Sequence, residues 1–164
     1  NVPSLPIAKP KIESKYLIED LSRDQEECCM FNQPTNFDEN NCLSTCDHVL
    51  VGQFKTMTAQ LKQSKLKWCQ ECIIEDEAGN CVAAYIGNDP LTSLLELSCS
   101  QAKELFQRSK QQSQQDQSIT EDYNTLFARK RKNCEEALKA SKFKMSLKYD
   151  FIKSMYCIYK MTQH

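Results

Sequence analysis

Ten cysteines in a chain of 164 residues are the feature that most constrains what this sequence can fold into. The count is even, and cysteine at this level is typical of proteins whose thiols pair in an oxidising compartment. We therefore expect up to five disulfides of unknown pairing among Cys28, Cys29, Cys42, Cys46, Cys69, Cys72, Cys81, Cys99, Cys134 and Cys157. The same argument predicts a secreted protein, and because the sequence starts at Asn1 rather than Met we interpret it as a mature form whose signal peptide has been removed.

Glycine and proline are scarce, with only 3 and 5 copies, and three of the prolines lie within the first ten residues. Sandwiches and barrels need many tight turns and normally carry more of both residues. The composition therefore predicts an all-α fold, a compact disulfide-stapled bundle of four to five helices. The early prolines predict an extended flexible tail over residues 1–12, followed by a single helical cysteine-rich domain over residues 13–164.

Apolar spacing suggests where the helices lie. One stripe recurs at helical intervals and predicts a long helix over about 42–73: Leu50, Phe54, Met57, Leu61, Trp68 and Cys72. Further helices are predicted over 13–29, over 89–110 from a start at Asp89-Pro90, and over 119–161 with a break near 140–144. Alternating apolar residues leave a short strand open as an alternative at 143–149.

Charge and motifs exclude several classes of function. The net charge is −1 and the pI is about 6.2, which gives no electrostatic case for nucleic acid, so no DNA partner is expected. No apolar run is long enough for a transmembrane segment. The chain has no Gly-x-Ser-x-Gly, His-Glu-x-x-His or phosphate-binding glycine loop. We therefore predict no catalytic residue, no cofactor and no metal ligand, and a protein that is not an enzyme.

One segment offers a chemical alternative. Trp68-Cys69-Gln70-Glu71-Cys72 resembles the Trp-Cys-x-x-Cys of thioredoxin-like oxidoreductases over those five residues. The spacing of Cys69 and Cys72 also suits zinc, with Cys81 as a third ligand. Because the motif falls at the predicted C-terminal end of a helix, where the helix dipole disfavours a thiolate, structural stapling is the preferred interpretation. A thiol redox or zinc protein using region 69–81 stays the second alternative.

A basic run is one candidate for a partner-binding site. Arg129, Lys130, Arg131 and Lys132 are consecutive in a predicted helix, where they could contact an anion or an import receptor. The competing interpretation is a solvated helix surface, since four consecutive helical residues point in four directions.

Two resemblances bear on the function. Cys42-x3-Cys46 is similar to one piece of the cysteine pattern of insect odorant-binding proteins, although Cys72-x8-Cys81 lies mid-chain here. In style the chain resembles the cysteine-rich secreted effectors of parasites and plant-feeding insects. We therefore expect a secreted, non-catalytic helical binding protein, an effector of salivary or parasite type that acts on an unknown protein partner, for instance from a host. The first alternative is a small apolar ligand carrier of odorant-binding-like type.

Overall fold

The computed structural model of the chain describes Ile18 and residues 42–45, 47–113 and 117–164. Strands dominate this part, and three helices lie in the connection between the fourth and fifth strands. The elements are β1 (His48–Met57), β2 (Lys62–Ser64), β3 (Lys67–Asp76), β4 (Cys81–Ile86), α1 (Asn88–Leu95), α2 (Cys99–Ser113), α3 (Gln117–Ala140), β5 (Phe143–Asp150) and β6 (Met155–Gln163). The predicted all-α helical bundle is therefore wrong.

Five of the strands close into a ring. β1 pairs antiparallel with both β3 and β5, β3 pairs antiparallel with β4, and β5 pairs antiparallel with β6. The ring closes because β4 pairs in parallel with β6. The resulting order β1–β3–β4–β6–β5–β1, with one parallel pair and helices between β4 and β5, is the five-stranded Greek-key arrangement of the OB-fold barrel.

Closure depends on a single glycine in β1. Gly52 is opposite Asp76 in the ladder with β3 and opposite Phe143 in the ladder with β5, so β1 changes partner there. A Cβ at this position would overlap the carbonyl oxygen of Glu75 on β3. Only glycine allows this approach without a backbone shift, which is the role of glycine at barrel corners.

The barrel interior is filled by alternate residues of each strand. Leu50, Ile74, Ile86, Leu147 and Ile158 are fully buried and point inward from five different strands. Trp68, at the start of β3, joins the barrel to the helices. Its Nε1–H donates to the Leu97 carbonyl oxygen at 2.9 Å, and its ring stacks on Phe127 of α3 with centroids 5.8 Å apart.

The predicted long helix over 42–73 is wrong because its apolar spacing fits two periods. Intervals of four residues, as from Leu50 to Phe54 and from Trp68 to Cys72, place side chains on one face of a helix and also on one face of a strand. The inward positions between them hold Gly52 and Gln70, so the strand alternation is interrupted in the sequence. The structure shows β1, β2 and β3 instead.

The other helix predictions have mixed outcomes. The helix over 89–110 is present as α1 and α2, which are separated after Glu96 takes a left-handed conformation with φ 54°. The helix from 119 to about 140 is confirmed by α3, whereas the segment beyond it forms β5 and β6, so the strand alternative at 143–149 is confirmed. The tail over 1–12 and the helix over 13–29 lie outside the described residues, apart from Ile18.

The predicted disulfide stapling is also wrong for every cysteine that the structure describes. Seven described cysteines form no disulfide: Cys42, Cys69, Cys72, Cys81, Cys99, Cys134 and Cys157. Five of these seven are buried, where a reduced cysteine packs as a small apolar side chain. Cys28, Cys29 and Cys46 lie outside the described residues.

Replacing Gly52 by alanine tests the closure of the barrel. We expect Gly52→Ala to lower the free energy of unfolding by about 3 kcal/mol or more, because the new methyl group meets backbone that cannot move without breaking a ladder. Urea denaturation measures the loss. Gly79→Ala is the control: its φ of 87° disfavours alanine, but no atom lies within 4 Å of the added methyl group, so about 1–2 kcal/mol is expected. Equal losses would contradict the closure argument.

Mass spectrometry tests the free thiols. When the chain is unfolded in urea without reductant and treated with iodoacetamide, we expect at least seven alkyl groups, because the seven described cysteines form no disulfide. A parallel sample that is reduced first supplies the total of ten. A non-reduced sample that gains fewer than seven would show that described cysteines are bridged.

Candidate functional site

The β2–β3 hairpin projects from the barrel wall. β2 pairs with β3 alone, from Lys62 opposite Cys69 to Ser64 opposite Lys67, and all of its residues are exposed. On one face the hairpin is anchored to the helices, because Gln63 Nε2 donates to the Cys99 carbonyl oxygen at 3.2 Å. The other face, with Lys62 and Lys67, is directed to solvent.

The turn of this hairpin is strained. Its two central residues, Lys65 and Leu66, have φ values of 50° and 62°. A two-residue hairpin turn with two positive φ angles is a type I′ turn, which normally uses Asn-Gly because other residues are disfavoured there. The Leu66 side chain is 49% exposed at the tip, between Lys65 and Lys67.

A second turn lies beside the hairpin. Residues 151–154 connect β5 to β6, and Asp150 holds them: its Oδ1 accepts the backbone N–H groups of Ile152 and Lys153, each at 2.9 Å. Ser154 completes the turn at φ 55°. The Ile152 side chain is 48% exposed at its tip.

A polar cluster on the outer face of the barrel connects the two elements. The Tyr85 hydroxyl on β4 donates to Asp150 Oδ2 at 2.6 Å. Lys153 Nζ lies 3.2 Å from Cys69 Sγ at the base of the hairpin and 4.3 Å from the centroid of the Tyr85 ring. The β5–β6 turn and the β2–β3 hairpin therefore form one structural unit.

We call the exposed part of this unit the hairpin–turn surface. It consists of Lys62, Lys65, Leu66, Lys67, Ile152 and Lys153, all of which are exposed. Lys62 forms an ion pair with Glu71 at 2.8 Å, and this bond lowers the pKa of the Glu71 carboxyl. The surface combines two exposed apolar side chains with four cationic ones.

The cluster beneath the surface is structural. Burial raises the pKa of Tyr85 far above its usual range, with further contributions from Cys157 and Asp150. Burial also raises the pKa of Cys157 to about 11 and raises the pKa of Cys42. These groups keep their protons at neutral pH, so the thiols of Cys157 and Cys42 supply no thiolate for nucleophilic chemistry.

The geometry of region 69–81 argues against a redox or zinc site. Cys69 and Cys72 are three apart in a strand, so their side chains lie on opposite faces of β3. Cys69 faces outward, whereas Cys72 is 1% exposed inside the barrel, and burial raises its pKa to about 12. Cys81 is at the far end of the hairpin formed by β3 and β4. Among the described residues, no group of three or more His, Cys, Asp or Glu side chains could hold a metal ion.

The basic run does not form one patch. Arg129 and Lys132 are exposed on α3, whereas Lys130 and Arg131 are half-buried on the side that packs against the protein. The Arg131 guanidinium lies 5.9 Å from the Phe127 ring and so extends the stack on Trp68. A partner-binding role for these four residues stays a prediction.

Sequence reasoning missed the hairpin–turn surface because it assigned residues 62–67 to a helix. The segment KQSKLK contains no Asn-Gly, Asp-Gly or glycine to indicate a hairpin turn. The available signal was the group of lysines around Leu66, which precedes the period-two pattern of β3. Ile152 carries no signal of its own, since its exposure depends on the turn that Asp150 organises.

The position of this surface matches the ligand face of OB barrels. In that fold, ligands bind on the second and third barrel strands and on the loops between strands 1 and 2 and strands 4 and 5. Here these elements are β3, β4, the hairpin and the β5–β6 turn. Tyr85 is the aromatic residue on the outer face of β3 and β4, and only 9% of it is exposed beneath Lys153.

Comparisons with known proteins add no family: no protein-family model matches the chain, and no curated protein matches it. In the part of the chain that the structure describes, no helix has both the length and the apolarity that a membrane crossing requires.

Removing the Tyr85 hydroxyl tests the cluster. We expect Tyr85→Phe to lower the free energy of unfolding by about 1–3 kcal/mol, because Asp150 Oδ2 would be left buried without its donor. Tyr159→Phe is matched, since the Tyr159 hydroxyl also donates to a carboxylate, Asp47 Oδ1 at 2.7 Å, but at an exposed site. Its expected loss is below about 1 kcal/mol. Urea denaturation compares the two, and a larger loss for Tyr159→Phe would refute the role of the cluster.

Proposed function

We propose that this chain is a non-catalytic binding module that contacts an acidic protein partner through its hairpin–turn surface. The observation that carries the proposal is the strained turn at Lys65 and Leu66. Non-glycine residues at positive φ cost about 1–2 kcal/mol each, and such strain concentrates at functional sites. A turn that served only to connect two strands would be more stable with Asn-Gly.

The composition of the surface indicates the kind of partner. Leu66 and Ile152 are two of the three exposed large apolar side chains in the described part of the chain, and both lie at this end of the barrel. Apolar anchors surrounded by charged residues are typical of protein–protein interfaces. The four lysines favour a partner that carries carboxylates around an apolar site.

Oligonucleotides are one class of ligand that OB barrels bind, and this face lacks the exposed aromatic residues that single strands require. Single strands bind OB barrels through bases stacked on exposed aromatic rings. Tyr85 lies on β4, one of the two strands of this face, but Lys153 covers its ring and its hydroxyl donates to Asp150. The chain as a whole carries a net charge of −1, which gives no long-range attraction for phosphate.

Secretion of the protein is a proposal separate from the binding function. Secretion was predicted from disulfides, which the seven described cysteines do not form, and delivery into a host was predicted from the resemblance to secreted effectors. Binding through the hairpin–turn surface does not depend on the compartment, since it uses only side chains on this surface and the folded barrel.

Photo-crosslinking tests the proposed function. A benzoylphenylalanine introduced at Leu66 is expected to capture a protease-sensitive partner from an extract of the source cells, and the captured protein is expected to be acidic. Phe106 is the matched position, because it is also exposed and apolar but lies on α2. A nuclease-sensitive product, or equal capture from both positions, would contradict the proposal.

A double variant separates binding from stability. We expect Lys65→Asn with Leu66→Gly to raise the free energy of unfolding by about 1–2 kcal/mol, because Asn-Gly suits the type I′ turn. The same variant is expected to weaken binding of the captured partner at least tenfold, since it removes the Leu66 side chain. Thermal or urea denaturation and fluorescence anisotropy measure the two effects. An unchanged affinity for the captured partner would show that the turn at Lys65 and Leu66 does not belong to the binding site.

A further inference from the structure

The second half of β6 has an open edge. β4 pairs with β6 only from Tyr156 to Ile158, and the last bond on this side runs from Gly87 N–H to the Ile158 carbonyl oxygen at 2.9 Å. β6 continues to Gln163. In the described part of the chain, no strand pairs with residues 159–163 on the side away from β5.

The ladder shows which backbone groups face this edge. His164 N–H donates to the Lys142 carbonyl oxygen at 2.9 Å, and residues 144 and 162 are opposite each other in the register. Because hydrogen-bonded and non-hydrogen-bonded pairs alternate in an antiparallel ladder, Thr162 bonds to β5. Met161 and Gln163 therefore direct their N–H and C=O groups to the open edge. No described residue forms a hydrogen bond with these four groups.

A groove runs along the edge. Its volume is about 380 Å³, and it separates β6 from α1. Phe143, Leu94 and Met161 form its apolar lining, and Asp89 and Lys160 are its charged residues, both of them exposed. Neither charged residue has an ion-pair partner among the described residues.

We propose that this groove binds an extended peptide segment of another protein, which adds a strand to β6 at Met161 and Gln163. Strand addition is a recurrent mode of peptide recognition in which main-chain bonds give affinity and side-chain pockets give specificity. An apolar side chain of the peptide contacts Phe143 and Leu94. A basic side chain pairs with Asp89, and an acidic one pairs with Lys160.

Two features favour a peptide over a small apolar ligand. Backbone N–H and C=O groups at a strand edge need hydrogen-bond partners in any buried complex, and only another backbone supplies them in alternation. The two opposite charges at the groove also suit a polar chain better than an apolar molecule. The hairpin–turn surface shares no residue with this groove, so this second surface is independent of the proposed function.

A proline substitution at the open edge tests the proposal. The probe is a phage-displayed library of random dodecapeptides, selected on the wild-type chain, from which the best peptide is synthesised. Gln163→Pro removes an N–H that faces the open edge and costs no bond to β5. Gln163→Ala is the matched control, because it loses the same side-chain bond to Ser141 Oγ but keeps the N–H.

We expect the selected peptides to alternate apolar residues and to include Lys or Arg. Their affinity is expected to fall at least tenfold in Gln163→Pro and to stay within about threefold in Gln163→Ala, where tenfold corresponds to about 1.4 kcal/mol. Asp89→Lys, at an exposed site, supplies a second variant with an expected loss of tenfold. Hydrogen exchange of the Met161 and Gln163 amides in the wild type is expected to slow when the peptide binds.

Several results would overturn the proposal. Selection that yields no peptide, or peptides that bind Gln163→Pro and Asp89→Lys as well as the wild type, would show that the groove is not their site. Displacement of the peptide by a fatty acid would assign the groove to a small apolar ligand. A concentration-dependent dimer lost in Gln163→Pro would assign the edge to a second copy of the chain. The double variant at Lys65 and Leu66 is expected to bind the peptide normally, which separates this test from that of the proposed function.

Discussion

The structure depends on the double pairing of β1. One strand of ten residues must complete the ladder with β3 and the ladder with β5, and it changes partner at Gly52, where the backbone of Glu75 leaves no space for a side chain. Without that approach the sheet would stay open, with β3 and β5 as unpaired edges. Closure satisfies these edges and buries one face of each of the five barrel strands, and most of the inward positions hold apolar residues.

Closure of the barrel also determines which parts of the backbone stay available to bind a partner. In the described part of the chain, two elements extend beyond the closed ring: the hairpin that continues β3, and the part of β6 that runs past β4. Both proposed surfaces use these elements, and they share no residue. Trp68 fixes the hairpin to the helical connection through Leu97 and Phe127, so the hairpin is held against the helices.

The cysteines show how the same residue can support two opposite predictions. Their number suggested bridges, yet in the structure Cys72, Cys134 and Cys157 pack among apolar side chains, and burial raises the pKa of each thiol to about 11 or 12. A buried thiol with a raised pKa is a small apolar group with little reactivity. Whether cysteines pair depends on which of them meet in space, and spacing along the chain does not contain that information.

Sequence alone determined the elements whose signal is local. The helices α2 and α3 follow from their apolar periodicity, and the start of α1 follows from Asp89-Pro90 within one or two residues. The alternation in β5 was visible as well. For the candidate site, the sequence showed the lysines around Leu66 but gave no reason to place them on a projecting turn.

The remaining elements were decided by tertiary structure, because their apolar spacing fits a helix and a strand equally well until the barrel closes. The spacing of Leu50 and Phe54, or of Trp68 and Cys72, satisfies a helix and a strand alike, and only pairing with β3, β4 and β5 makes the strand the more stable choice. The closeness of Lys153 to Cys69 and the open edge at Met161 arise from contacts between residues distant in sequence. They follow from barrel closure and the length of β4, which are properties of the assembled sheet.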